Sequence, residues 1–139
     1  MTLFWTMAAS ATLWFAPVQA RDLVSRALDA AQAHLARNGF RELSGRPRGR
    51  LRQGASTTIS LDLRAGVPVV MAGACDARCS DFDFQLYDAY GKLVDEDVAT
   101  DDTPVLQVTP PRAGAHRLVV RMHACAASAC EYGVLVTSR

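Results

Sequence analysis

Asp81-Phe82-Asp83-Phe84-Gln85-Leu86-Tyr87-Asp88-Ala89-Tyr90-Gly91 is the stretch whose reading decides the fold. Phe82, Phe84 and Leu86 alternate with polar residues, so on an extended backbone they share one face, and Asp88 to Gly91 supplies the Asp and Gly of a reversing turn. The same period of two recurs on both sides. Ile59, Leu61 and Leu63 alternate in Thr57 to Leu63, Leu118, Val120 and Met122 in the penultimate strand, and Tyr132, Val134 and Val136 in the last. Val67 to Ala72 is more continuously apolar, as expected of a central strand covered on both faces. Turn chemistry separates these runs at Arg64-Ala65-Gly66, Asp101-Asp102-Thr103-Pro104 and Pro110-Pro111-Arg112-Ala113-Gly114. Six strands are expected from Val67 onward and one or two before Ala65. The fold class is all-β, an antiparallel β-sandwich over residues 41–139.

One segment departs from this period. In Asp22 to Asn38, the residues Leu23, Val24, Ala27, Leu28, Ala31 and Leu35 recur at steps of three and four, which predicts one amphipathic helix within residues 21–40. Asp22 can cap its start, and Asn38-Gly39 can end it. The Ala-rich, aromatic-poor stripe suits packing on the sandwich better than lying on a membrane.

Residues 1–20 contain no charged side chain and carry Leu3, Phe4, Trp5, Leu13, Trp14 and Phe15. Val18 and Ala20 occupy the small-residue positions of an export cleavage site, and Pro17 breaks the helix just before them. A signal peptide cleaved after Ala20 is expected, with no membrane span in the mature chain and a periplasmic or secreted destination. An uncleaved anchor is the alternative. Of 139 residues, half are hydrophobic, a fifth are charged and the net charge is +1, which is globular composition. One domain accommodates a core of this size.

Four cysteines follow the leader: Cys75, Cys79, Cys125 and Cys130. An even number in an exported chain reads as disulfides. If successive strands alternate in direction, the loops at 75–80, 100–103 and 125–130 share one end of the sandwich, so the two cysteine pairs are neighbours. Local bridges, Cys75 to Cys79 and Cys125 to Cys130, are favoured, and crossed bridges stay open.

The strand series Ile59-Ser-Leu-Asp-Leu-Arg-Ala-Gly66, Asp81-Phe-Asp-Phe-Gln-Leu-Tyr-Asp-Ala-Tyr-Gly91, Pro110-Pro-Arg-Ala-Gly114 and Tyr132-Gly-Val-Leu-Val136 resembles the bacterial pre-peptidase C-terminal domain. The match spans roughly residues 45 to 139. It implies a jelly-roll-like sandwich that serves as a non-catalytic accessory, substrate-binding or export-linked module. The chain departs from that pattern at His116, where an aromatic is usual, and in its cysteines.

Five aspartates, Asp76, Asp81, Asp83, Asp101 and Asp102, gather near the cysteine loops and make calcium the candidate ion, because hard cations take oxygen ligands. A zinc site of all four cysteine thiolates is the rival use of the sulfurs. His34, His116 and His123 are scattered. A triad of His123 with Ser80 or Ser128 has no nucleophile-elbow sequence behind it, so no catalytic residue is assigned and no enzyme activity is expected. Arg46, Arg48, Arg50 and Arg52 alternate, and on a strand would form one cationic face toward an anionic partner, or a charged edge that resists strand pairing. From Arg21 to Arg64 nine arginines meet four acids, net +5, whereas from Ala65 onward six basic residues meet ten acids, net −4. Export and the lack of aromatic platforms argue against nucleic acid.

These observations together predict an exported, non-catalytic binding or accessory module of the bacterial envelope that recognises protein or polysaccharide. The alternatives are a structural or interaction protein without a small ligand, and a calcium-stabilised accessory domain. The cysteine-bearing end, with its aspartates, is the expected place for a ligand.

Overall fold

The computed structural model describes residues 22–43 and 45–139. The expected signal peptide and its cleavage site lie outside them. The chain forms one helix, α1 (Leu23–Arg37), and nine strands: β1 (Arg41–Glu42), β2 (Arg48–Leu51), β3 (Ser56–Leu63), β4 (Val69–Cys75), β5 (Cys79–Tyr87), β6 (Leu93–Asp97), β7 (Val105–Val108), β8 (Gly114–Cys125) and β9 (Cys130–Ser138). All strand pairs are antiparallel.

One sheet runs β2-β9-β4-β7, with β1 also on β9, and the other runs β3-β8-β5-β6. That order, with nearly every connection crossing between sheets, is the double Greek key of a jelly roll. The six strands expected after Val67 are present. Three rather than one or two precede Ala65, because β1 is only two residues long and β2 carries no apolar alternation to announce it.

The inner faces hold the residues the alternation singled out: Phe82, Phe84, Leu86, Leu118, Val120, Met122, Val134 and Val136 are all buried in one cluster, with Ile59 and Leu61 packed against it. Phe82 meets Phe84 edge-on at 5.5 Å between ring centres. β4 is buried along its whole length for a specific reason. Val69, Met71 and Cys75 face the inter-sheet core, whereas Ala72 and Ala74 lie beneath α1 with Leu135 of β9.

The helix is held on that outer face by a narrower stripe than its composition suggests. Val24 and Leu28 are buried, with Ala31 and Leu35 packed alongside, while Leu23 and Ala27 face solvent. Asp22 caps the helix, accepting from the Ser25 amide at 2.8 Å. Gly39, at φ +82°, ends it. Gly133 lets the helix approach: a Cβ there would stand 2.8 Å from Val24 Cγ1 and 2.9 Å from Leu28 Cδ1.

Candidate functional site

The two ends of the sandwich differ in construction. At one end the cysteines form two local bridges, Cys75–Cys79 and Cys125–Cys130. Each joins a strand of one sheet to a strand of the other, β4 to β5 and β8 to β9, and Cys79 lies opposite Cys125 in the β5–β8 register. The favoured local pairing is therefore the one adopted. No thiolate is left for zinc, which overturns that alternative. The Asp101 loop arrives at the same end, its carbonyl accepting from the Phe82 amide at 2.9 Å.

The five aspartates do not converge. Asp76 is engaged by backbone, accepting from the amides of Arg78 at 3.0 Å and Glu131 at 2.8 Å. Asp101 accepts from the Thr103 amide within its own turn, and Asp102 is exposed. Among the described residues no three Asp, Glu, His or Cys side chains form a cluster suited to a metal ion.

Asp81 and Asp83 are the unexpected members. Their alternation with Phe82 and Phe84 directs them outward, yet both are buried, and each leaves Oδ1 without a hydrogen-bond partner. Burial, then the charge of Asp81 and a hydrogen bond to it, push the Asp83 carboxyl up to about 6; the nearby His123 and Arg121 pull the other way. Asp83 therefore carries a proton below that pH. His123 is exposed on β8 with Nδ1 4.0 Å from Asp83 Oδ2. Neither Ser80 nor Ser128 is bonded to it.

The arginines do not form one free strand face, because β2 spans only Arg48 to Leu51. Arg46, ahead of it, reaches Asp29 and Glu42, both at 2.7 Å. Those carboxylates raise its pKa further above the usual range. Arg48 reaches Asp22 at 3.1 Å and Ser25 Oγ at 2.7 Å, and Arg50 lies 3.7 Å from Glu131. Arg46 and Arg48 thus bind the helix to the edge of the sheet, and Arg52 alone of the four makes no ion pair among the described residues.

The concave surface is at the opposite end. A groove of about 540 Å³ opens between the β5–β6 turn and the β7–β8 loop. Leu93 and Val94 form one wall, and Pro111 and Ala113 the other. Tyr90 stands at the rim 81 % exposed, with the Arg112 guanidinium 5.9 Å from its ring centre. Beneath them His116 is 4 % exposed and holds the Gly114 carbonyl at 2.9 Å through Nδ1, while Nε2 makes no hydrogen bond among the described residues. Local chemistry keeps the groove open. Asp88 Oδ1 accepts from the amides of Tyr90 at 2.9 Å and Lys92 at 3.0 Å, with Gly91 at φ +78° completing the turn. The Gly66 amide donates to the Pro110 carbonyl at 2.8 Å and braces the other loop. A second, smaller depression lined by Leu63, Val67 and Arg139 lies at this same end. The concavities thus lie away from the cysteine end, where a ligand was expected.

No family model matches the chain, and no curated protein does. Among solved structures it is similar to PliG of Aeromonas hydrophila, a periplasmic lysozyme inhibitor of g-type lysozyme. The likeness is one of fold. Identity is 13 % and the TM-score 0.50, over 68 % of this chain and 85 % of that one.

Proposed function

We propose that this chain is an exported, non-catalytic module of the bacterial envelope that binds a partner protein with the end of the sandwich opposite its disulfides. The observation that carries this reading is the groove with Tyr90 at its rim. A preformed, mainly apolar concavity beside an exposed aromatic residue matches the composition of protein-binding hot spots. The uncharged, apolar residues 1–20, the small residues before Arg21 and the paired cysteines support export to an oxidising compartment.

Two likenesses agree with it. The strands resemble an accessory-domain family, and a protein of similar fold is a periplasmic inhibitor of g-type lysozyme. A rigid jelly roll is a suitable support for such a surface, since its loops are anchored by sheets on both sides.

Retention assays separate protein from polysaccharide recognition. The immobilised protein is offered purified envelope polysaccharide and, separately, an envelope protein extract, alongside a Tyr90→Ala variant. Saturable protein binding that weakens at least tenfold in the variant is expected. Retention of polysaccharide alone, or protein binding indifferent to Tyr90, overturns the proposal.

A further inference from the structure

We infer that the groove takes an acidic segment of its partner, a loop that sets an apolar residue against Leu93 and Pro111 and a carboxylate between Lys92 and Arg112. This rests on the protein-binding reading and names the chemistry of the partner.

The argument is charge complementarity. Lys92 and Arg112 line the groove, and Arg117 stands just behind the β5–β6 turn, its guanidinium 3.8 Å from where a Cβ on Gly91 would lie. Among the described residues the ion pairs fall on Arg46, Arg48, Arg50 and His123, so none of these three cations is neutralised by a carboxylate contact. The single acid lining the groove is Asp88. Its carboxylate is held below the ordinary range first by the Lys92 amide, then by the Tyr90 amide and the nearby His116 and Lys92 charges. Its Oδ1 is occupied in shaping the turn, and among the described residues it forms no ion pair with a groove cation.

The surrounding sequence sharpens the contrast. From Ala65 onward the chain carries a net charge of −4, yet this end presents three cations that form no ion pair among the described residues, around an apolar groove. His116 adds a ring whose Nδ1 is taken by the Gly114 carbonyl and whose Nε2 makes no hydrogen bond among the described residues. In protonated form that nitrogen donates to a carboxylate, and in neutral form it accepts from a hydroxyl or amide. A segment with a carboxylate beside an apolar side chain satisfies all these groups at once, whereas a basic segment would meet three like charges.

The test uses three twelve-residue peptides that differ only in alternating Leu-Glu, Leu-Gln or Leu-Lys composition, titrated into the isotopically labelled exported protein and followed by amide chemical shifts. The Glu peptide is expected to shift residues 88–94 and 111–116 and to bind about fivefold more tightly than the Gln peptide. That margin should vanish in an Arg112→Gln, Lys92→Gln variant with an unchanged fold, and shrink as salt rises. Equal binding of the Glu and Gln peptides, a preference for Lys, or shifts confined to other surfaces overturns the inference. If that happens while Tyr90-dependent protein retention persists, only the acidic partner is wrong; if retention also fails, the protein-binding reading falls with it.

Discussion

Cys79 and Cys125 face each other as register partners across the β5–β8 pair, and each is bonded to a cysteine of the opposite sheet, not to the other. The two bridges therefore lie side by side and hold the sheets together at one end, where Cys79 and Cys130 are almost fully buried. Closing loops this short contributes about 2 kcal/mol per bridge in the chain-entropy model. Replacing Cys125 and Cys130 together by Ala is expected to lower unfolding free energy by about that amount, read from denaturant midpoints at unchanged slope. Peptide mapping without reduction should return Cys75 with Cys79. A peptide joining Cys75 to Cys125 or Cys130 would contradict the architecture.

The Asp81–Asp83 pair predicts a pH dependence of stability. Asp83 holds its proton to about pH 6 in the folded protein, against 3.8 for an unperturbed aspartate. A carboxyl with a raised folded pKa contributes stability fully present below the unfolded value and lost as pH rises through the folded one. Stability contributed by this pair should thus decline between about pH 4 and 6 and be absent at pH 7.5. Asp83→Asn keeps a donor toward Asp81 and removes the second charge, so it should flatten this part of the profile. It should also raise stability at pH 7.5 by about 1 to 3 kcal/mol. Denaturant melts at pH 4.5 and 7.5 check both points, and a variant less stable at pH 7.5 would refute the assignment.

Two glycines separate helix docking from sandwich packing. At Gly73 a Cβ would meet Phe84 at 2.7 Å, a Pro104 carbon at 2.8 Å and Phe82 at 3.0 Å, all in the inter-sheet core. At Gly133 it would crowd Val24 and Leu28 of α1 at 2.8 and 2.9 Å, with Arg48 Cγ of β2 at an ordinary 3.7 Å. Gly73→Ala is expected to destabilise the whole domain by about 1 to 3 kcal/mol. Gly133→Ala should chiefly loosen the helix, seen as faster amide exchange in residues 23–37 with smaller change in β5 and β8. Equal loss of protection in both regions would show that helix and sandwich unfold as one unit.

Much of the sandwich is legible in the sequence because it is a matter of period. Ile59 with Leu61, Phe82 with Phe84, and Val134 with Val136 each announce an inner face, and Val24 with Leu28 the docking stripe of the helix. The disulfide pairing was open because loop entropy favours long bridges while strand geometry favours short ones, and only the placement of β4 beside β5 and of β8 beside β9 at the crossing points decides. The burial of Asp81 and Asp83 is invisible to alternation, which assigns them to the outer face and cannot say what crowds it. The arginines read as one stripe because spacing shows their periodicity and not the helix acids that draw Arg46 and Arg48 aside. The groove was hidden for a related reason. Its walls come from two turns some twenty residues apart, and each by itself reads only as turn chemistry.

Site-specific photo-crosslinking tests the central claim, that the groove end is the binding end. A photoreactive residue is placed in turn at Tyr90 on the groove rim, at Ser128 in the disulfide-end loop and at Arg26 on the helix, all exposed, and the exported protein is irradiated in intact cells. The account predicts a discrete protein adduct from position 90 and none from positions 128 and 26. An adduct from position 128 or 26 with none from position 90 would contradict it.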